Sequence, residues 1–173
     1  IQLITVRITG TDCTIHGFYR PFKLISHQGY SDYMNEVITH ARTHHSNHTL
    51  FMGDFNLDLN KKNDSRYQFY ELFNQLENYL VEKSMICINT ETTWSRIYNN
   101  VLRESILDHV YTNDAYKTDT KTIKLAISDH SMIITTVKTT FDKSQRTGKI
   151  FIRDWRKYSV ALLNEKLALI DWE

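Results

Sequence analysis

The stretch 50–56, Leu-Phe-Met-Gly-Asp-Phe-Asn, constrains the fold of this chain more than any other. Its apolar and small residues indicate a buried strand, and that strand ends abruptly in the carboxylate of Asp54 and the carboxamide of Asn56. Two later apolar stretches, 105–110 and 127–133, each contain an Asp-His pair. Three strands interrupted by polar residues in this way predict side chains used for chemistry at strand ends.

Composition restricts the class of protein. A chain of 173 residues with 41% hydrophobic and 12% aromatic residues can bury a core as one domain, which argues against disorder. The formal charge of +1 excludes a global basic field, so any nucleic-acid binding must be local. Cys13 and Cys87 lie far apart in strand-like contexts, which is typical of buried thiols in a reducing compartment. We therefore expect a nuclear or cytoplasmic protein.

Neither a membrane span nor a secretory signal is expected. No apolar run approaches the ~20 residues that cross a bilayer. The first residues lack a charged region followed by an apolar one, and they start directly as a strand-like segment. We expect no membrane partner.

Periodicity predicts a mixture of strands and helices. A cap at Ser31 would start one helix, with a buried stripe at residues 34, 37, 38 and 41, and a second helix is predicted over 65–83. The predicted strands are 2–8, 13–19, 50–54, 85–89, 105–112, 122–127 and 131–141. This order favours an α/β sandwich of two sheets flanked by helices, with a doubly wound sheet as the alternative.

The composition divides the chain near residue 141. Residues 142–148 are polar, and 158–172 form an amphipathic segment. We predict a domain over 1–141, and a polar linker and amphipathic tail over 142–173 that lead towards a downstream domain. A terminal helix packed on the domain is the alternative.

Four motifs, in order, resemble those of the endonuclease/exonuclease/phosphatase superfamily. They are 17–21 (Gly-Phe-Tyr-Arg-Pro), 53–56 (Gly-Asp-Phe-Asn), 107–109 (Leu-Asp-His) and 128–130 (Ser-Asp-His). The Tyr-Arg-Pro variant, the Thr-Thr-Trp at 92–94 and the tail make the chain most similar to the endonuclease domain of non-LTR retrotransposon polyproteins. The resemblance implies a four-layer αββα sandwich of two mostly antiparallel sheets flanked by helices.

The chain also departs from that family. Complete members carry an Asn-bearing strand and a metal-binding Glu upstream of the first hairpin, and neither has a counterpart here. We therefore expect a sandwich that is incomplete at the amino terminus. Exposed sheet edges pair with other chains, so self-association is a further expectation.

The resemblance and the chemistry of phosphodiester hydrolysis imply roles for five polar residues. Asp129 is the expected ligand of Mg²⁺, with Mn²⁺ as the alternative ion. His130 would bond a phosphate oxygen or help the attacking water, and Asp108 would orient its ring. Asp54 would deprotonate or orient the water, and Asn56 would donate from its amide.

By the same resemblance, Tyr19 contacts the scissile phosphate through its hydroxyl, and Thr93 and Ser128 make further substrate contacts. His109 is expected to be structural, because strand alternation places it on the face opposite Asp108. The histidines at 40, 44 and 48 would share one helical face, where a solvated helix end is favoured over a zinc site.

The function implied is Mg²⁺-dependent nicking of DNA, leaving a 3′-hydroxyl, by one part of a longer polyprotein with a reverse transcriptase. Two alternatives stay open. One is a phosphatase of the same superfamily that acts on inositol or lipid phosphates, and the other is an inactive truncated fragment.

Overall fold

The computed structural model describes residues 3–21 and 27–140, and it confirms the α/β fold class. Two helices, α1 (His27–Thr43) and α2 (Tyr70–Glu82), and a short 3₁₀ helix (Leu59–Lys61) are present in these ranges. The strands are β1 (Leu3–Ile8), β2 (Cys13–Tyr19), β3 (His48–Asp54), β4 (Ile86–Cys87), β5 (Trp94–Tyr98), β6 (Val101–Ser105), β7 (Asp108–Thr112), β8 (Thr118–Ile123) and β9 (Met132–Val137).

A five-stranded sheet with the order β1-β2-β3-β7-β4 forms the centre of the domain. β2 and β3 run parallel, joined through α1, and the other neighbouring strands are antiparallel. The register sets Tyr19 opposite Asp54, and Asp54 opposite Asp108. The end of β2, the end of β3 and the start of β7 therefore meet at one edge of the sheet.

The two helices pack on one face of this sheet. The predicted stripe of α1 is confirmed, since Met34, Val37, Ile38 and Ala41 are all buried. They join one core cluster with α2 side chains and with Phe51 of β3. Burying each large apolar side chain is worth about 1.5–3 kcal/mol, so this core fixes β3 in the sheet.

Two hairpins, β5–β6 and β8–β9, make up the rest of the described strands. An isolated bridge between Trp94 and His130 connects β5 to the segment that precedes β9. Within residues 3–21 and 27–140, the strands outside the central sheet thus form two separate hairpins rather than one continuous second sheet.

Some predicted boundaries are wrong. Ser31 lies inside α1, which begins at His27, so it is no helix cap. α2 begins at Tyr70 rather than near residue 65, because the preceding residues form turns, with Tyr67 N bonded to Asp64 O at 2.9 Å. The predicted strands 85–89, 122–127 and 131–141 are observed as Ile86–Cys87, Thr118–Ile123 and Met132–Val137.

The predicted strand 105–112 is broken at residues 106 and 107. The backbone N–H of Ile106 donates to the carboxylate of Asp58 at 3.4 Å. The N–H of Leu107 donates to Thr93 Oγ1 at 2.9 Å. Because side chains satisfy these groups instead of a neighbouring strand, β6 ends at Ser105 and β7 begins at Asp108.

The predicted linker and tail over 142–173 lie outside the described residues, and so does the boundary between the two predicted domains. Neither described helix has the length and apolar character that a membrane crossing requires.

Candidate active site

Two carboxylates and one imidazole come together at the edge where β2, β3 and β7 meet. Asp54 ends β3, and Asp108 begins β7 directly opposite it. His130 is held near them by the bridge to Trp94. One ligand atom from each of Asp54, Asp108 and His130 lies within 4.8 Å of the others. We call this group the acidic triad.

The ring of His130 is oriented by Asp108. His130 Nδ1 lies 2.9 Å from Asp108 Oδ2, and a carboxylate accepts, so the ring donates its Nδ1 hydrogen. The other ring nitrogen, Nε2, is left to face a substrate. The side chains of His130 and Asp108 are 34% and 18% exposed, so the pair is shielded yet accessible.

Asp54 is held by its neighbour two residues on. Its Oδ1 accepts from the backbone N–H of Asn56 at 2.9 Å, and its Oδ2 accepts from Asn56 Nδ2 at 3.1 Å. Burial raises the pKa of the Asp54 carboxyl, the Asn56 backbone bond opposes the rise, and the charge of Asp108 adds to it. A carboxylate with a raised pKa is a better proton acceptor.

The amide of Asn56 is fully used within the protein. Its Nδ2 donates to Arg20 O at 2.6 Å and to Asp54 Oδ2 at 3.1 Å. Both amide hydrogens are thereby occupied, so in this structure Asn56 positions Asp54. Tyr19 stands beside Asp54 at the end of β2, with 41% of its surface exposed.

Thr93 and Ser128 support the site because their side-chain hydroxyls accept hydrogen bonds from backbone N–H groups of the site. Thr93 is fully buried, and its Oγ1 accepts from the N–H groups of Leu107 and Asp108, each at 2.9 Å. Ser128 Oγ accepts from the backbone N–H of His130 at 3.0 Å. In this structure Thr93 holds the turn that leads into Asp108, and Ser128 holds the loop that contains His130.

Asp129 lies outside the acidic triad. Its Oδ2 accepts from Trp94 Nε1 at 3.1 Å, and its carbonyl accepts from Ser95 N at 2.9 Å. A role for Asp129 as a metal ligand stays a prediction.

A groove of about 740 Å³ begins at His130, Asp129 and Asn56. Its cationic lining side chains are Lys61, Arg96 and Arg103, and its aromatic ones are Tyr67, Phe69 and Trp94. Cations and flat aromatic surfaces are the groups that contact phosphates and bases in a nucleic-acid strand.

The acidic triad fits a divalent cation. Carboxylate oxygens are the ligands that Mg²⁺ and Mn²⁺ prefer, and an imidazole nitrogen suits Mn²⁺ better than Mg²⁺. The two neighbouring carboxylates, Asp54 and Asp108, also repel one another: burial is the main cause of the raised pKa of Asp54, and the charge of Asp108 adds to it. A bound cation would relieve that repulsion.

The sequence did not reveal some residues that support the site. Asn89 donates from Nδ2 to Asp108 O at 2.8 Å and accepts at Oδ1 from Val110 N at 2.6 Å. Asp58 is 5% exposed and accepts from Ser105 Oγ at 3.2 Å. Both are short polar residues after a strand, as Asn56 is, and that position was the available signal.

Comparisons with known proteins identify a family and a similar fold. The sequence profile of a family described as endonuclease-reverse transcriptase matches residues 13–134. One similar solved structure is the endonuclease domain of TRAS1, a telomere-specific non-LTR retrotransposon, with 18% identity and a TM-score of 0.57. The match covers 79% of this chain and 62% of that one, so the chain spans under two thirds of that domain. No curated protein sequence matches the chain.

Proposed function

Because the chain belongs to the endonuclease-reverse transcriptase family, we propose that it hydrolyses phosphodiester bonds in DNA, nicking one strand and leaving a 3′-hydroxyl. The observation that carries this proposal is the acidic triad, whose ligand atoms lie within 4.8 Å of one another although they come from distant parts of the sequence. Two carboxylates beside an oriented imidazole supply a proton acceptor and a hydrogen-bonding group for one reaction centre.

The chain's own residues would divide the chemistry between them. Asp54 takes a proton from the attacking water, whose oxygen forms the new bond to phosphorus. His130, oriented by Asp108 and carrying a hydrogen on both ring nitrogens, donates from Nε2 to a phosphate oxygen as charge develops there. The bond from phosphorus to the 3′ oxygen breaks, and that oxygen leaves as a hydroxyl after taking a proton from solvent. Tyr19, beside Asp54, offers its hydroxyl to the scissile phosphate.

A divalent cation is the expected cofactor, Mg²⁺ or alternatively Mn²⁺. The two carboxylates of the acidic triad, Asp54 and Asp108, would hold it, and Asp129 is a further candidate ligand at the groove. When bound, the ion supplies positive charge that stabilises the phosphoryl oxygens.

The groove supports DNA as the substrate class. Lys61, Arg96 and Arg103 line it, so a polyanion longer than a single phosphate could contact more than one cation there. The family name also pairs the endonuclease with a reverse transcriptase, which we propose as a neighbour in a longer polyprotein. Nuclear or cytoplasmic localisation is part of the same proposal.

Self-association is proposed from one edge of the central sheet. β1 is an edge strand, and its Ile4 and Val6 are 69% and 50% exposed. Exposed apolar edge strands pair with other chains. Light scattering on the chain tests this, and a monodisperse monomer would contradict it.

The function is tested by nicking of supercoiled plasmid with Mg²⁺, with Mn²⁺ and with EDTA. We expect relaxed plasmid in the presence of either ion, none with EDTA, and a loss of about 10²- to 10⁴-fold for Asp54→Ala. The matched control is Asp64→Ala, since Asp64 is a surface carboxylate that bonds only Arg66 in the described ion pairs.

Other outcomes would overturn the proposal. Release of phosphate from inositol phosphates, with plasmid untouched, would identify a phosphatase. Failure of the folded chain to act on either substrate would identify an inactive fragment.

A further inference from the structure

A buried arginine lies directly behind the acidic triad. Arg20 follows β2 in the Tyr-Arg-Pro motif, and it is 1% exposed. Arginine is rarely buried this completely unless its charge and its donors are used. None of the catalytic roles proposed above involves it.

Arg20 contacts three consecutive residues at the end of β3. Its backbone N–H donates to Asp54 O at 2.9 Å, and its carbonyl accepts from Asn56 Nδ2 at 2.6 Å. Its guanidinium donates from Nε to Phe55 O at 2.6 Å and from Nη2 to Asn56 O. One side chain and its own backbone thus hold the whole of 54–56.

The segment needs this support because of its backbone conformation. Asn56 has a φ of 48°, a left-handed conformation that costs energy for a residue with a side chain. The turn also directs the carbonyls of Phe55 and Asn56 to the guanidinium, where two charge-assisted bonds satisfy them. Without these donors, buried carbonyls would be left unpaired, which costs about 1–3 kcal/mol each.

The conformation of the turn 54–56 determines where the Asp54 carboxylate lies. Both Asp54 oxygens accept from Asn56, one from its backbone N–H and one from its side chain. The contacts therefore run from Arg20 to Asn56, and from Asn56 to the carboxylate. The ring of Phe69, 4.4 Å from Arg20 Cζ, fixes the plane of the guanidinium.

We propose that Arg20 is a positioning residue for the proposed hydrolysis, which holds the turn 54–56 so that the Asp54 carboxylate stays within the acidic triad. This inference rests on the proposed function. Lysine cannot substitute for Arg20, because an ammonium is a point donor that cannot reach two carbonyls in one plane while stacking on an aromatic ring.

The test compares Arg20→Lys with Arg42→Lys in the 173-residue chain. Arg42 is the matched control, since it also bonds through Nε, to Glu82 at 3.0 Å, but on the exposed surface far along α1. Nicking kinetics with Mg²⁺ give kcat and KM, isothermal titration gives the affinity for Mn²⁺ alone, and thermal unfolding reports folding.

We expect Arg20→Lys to remain folded, to lower kcat by about 10- to 100-fold with KM changed less than about threefold, and to weaken Mn²⁺ binding. Arg42→Lys should change none of these. A kcat within about twofold of the parent, with Mn²⁺ affinity unchanged, would overturn the proposal. A rise in KM alone would also overturn it, because Arg20 would then bind substrate.

Two further measurements allow the test to decide if the parent chain is inactive or if Arg20→Lys does not fold. If the parent chain does not nick DNA, the proposed function fails, and the Mn²⁺ affinity of Arg20→Lys still decides the role of Arg20. If Arg20→Lys does not fold, Phe69→Leu replaces it, since this change removes the ring beside the guanidinium and none of its hydrogen bonds. A loss of kcat of about two- to fivefold is then expected, and an unchanged kcat would contradict the proposal.

Discussion

The dipeptide Asp-His occurs twice in this chain, and each copy gives one side chain to the acidic triad. The first copy contributes Asp108 and sends His109 into the core. The second contributes His130 and leaves Asp129 at the edge of the groove. Identical dipeptides therefore place opposite members at the site.

Strand geometry explains the first copy. Asp108 and His109 are consecutive residues of β7, so their side chains lie on opposite faces of the sheet. His109 is fully buried and stacks on Phe55 with the ring centres 4.8 Å apart. Its Nε2 lies 2.9 Å from Leu57 O and its Nδ1 lies 2.8 Å from Tyr111 OH, which fixes a neutral ring.

Loop geometry explains the second copy. Asp129 and His130 precede β9 and are held against β5, where Ser95 N donates to Asp129 O at 2.9 Å. The bridge to Trp94 then directs His130 towards Asp108. The comparison shows that the local structure around each pair determines which of its two side chains reaches the acidic triad. The dipeptide sequence itself does not determine it.

The largest effect is expected from His130→Ala. Loss of a donor that stabilises charge in the transition state lowers rates by about 10²- to 10³-fold, so plasmid nicking should fall by that amount while the melting temperature changes little. His44→Ala, at an exposed histidine, is the control. Near-normal nicking by His130→Ala would remove this residue from the reaction.

His109→Ala should instead act mainly on stability, by lowering the free energy of unfolding. Truncating a buried ring costs about 3–5 kcal/mol, and Tyr111 would lose its hydrogen-bond partner as well. Urea unfolding of His109→Ala and His130→Ala measures the contrast, with the second variant close to the parent. Equal stabilities would show that His109 packs less tightly than its contacts indicate.

The sequence predicted those elements whose burial follows a simple period. The α1 stripe and the strand through Leu50 are buried, and their apolar spacing was visible. The β5–β6 hairpin was not predicted, because most of its side chains are exposed and leave no alternating pattern. Only its Asn99-Asn100 turn, with φ values of 50° and 60°, gave a local signal.

The same limit applies to the site. Asp54, Asp108 and His130 could be chosen from the sequence because each is a polar residue in an apolar context and belongs to one of the four motifs that resemble those of the superfamily. The position of Asn89 after a strand was a signal, but its bonding partners and those of Arg20 could not be predicted, since they are backbone carbonyls and N–H groups of residues distant in sequence. Such bonds depend on the fold and leave no pattern of residue types.

Acid should destabilise the protein through its buried histidines. Burial lowers the pKa of His109 to about 4, and that of the fully buried His16 also to about 4. The unfolded chain binds these protons near pH 6.5, so stability is complete above that pH and falls as the pH drops towards 4. Each site should cost about 2 kcal/mol between pH 8 and pH 5.

Urea unfolding at pH 8 and pH 5 measures this loss. His109→Phe, which keeps an aromatic ring but does not titrate, should lose about 2 kcal/mol less than the parent over the same range. A pH dependence of His109→Phe equal to that of the parent would mean that folding does not change the pKa of His109.

The smallest effect is expected at Asp129, and it separates charge from hydrogen bonding. Asp129→Asn keeps an oxygen that can accept from Trp94 Nε1, whereas Asp129→Ala removes it. If the negative charge of Asp129 stabilises the bound cation, both variants should weaken Mn²⁺ binding by about tenfold in a calorimetric titration. This is the lower end of the range for residues that support metal sites. Asp108→Asn, within the acidic triad, should weaken it by more. If Asp129→Asn binds Mn²⁺ as the parent does and only Asp129→Ala is impaired, then Asp129 holds the indole of Trp94, and the second Asp-His pair supplies the site with its histidine alone.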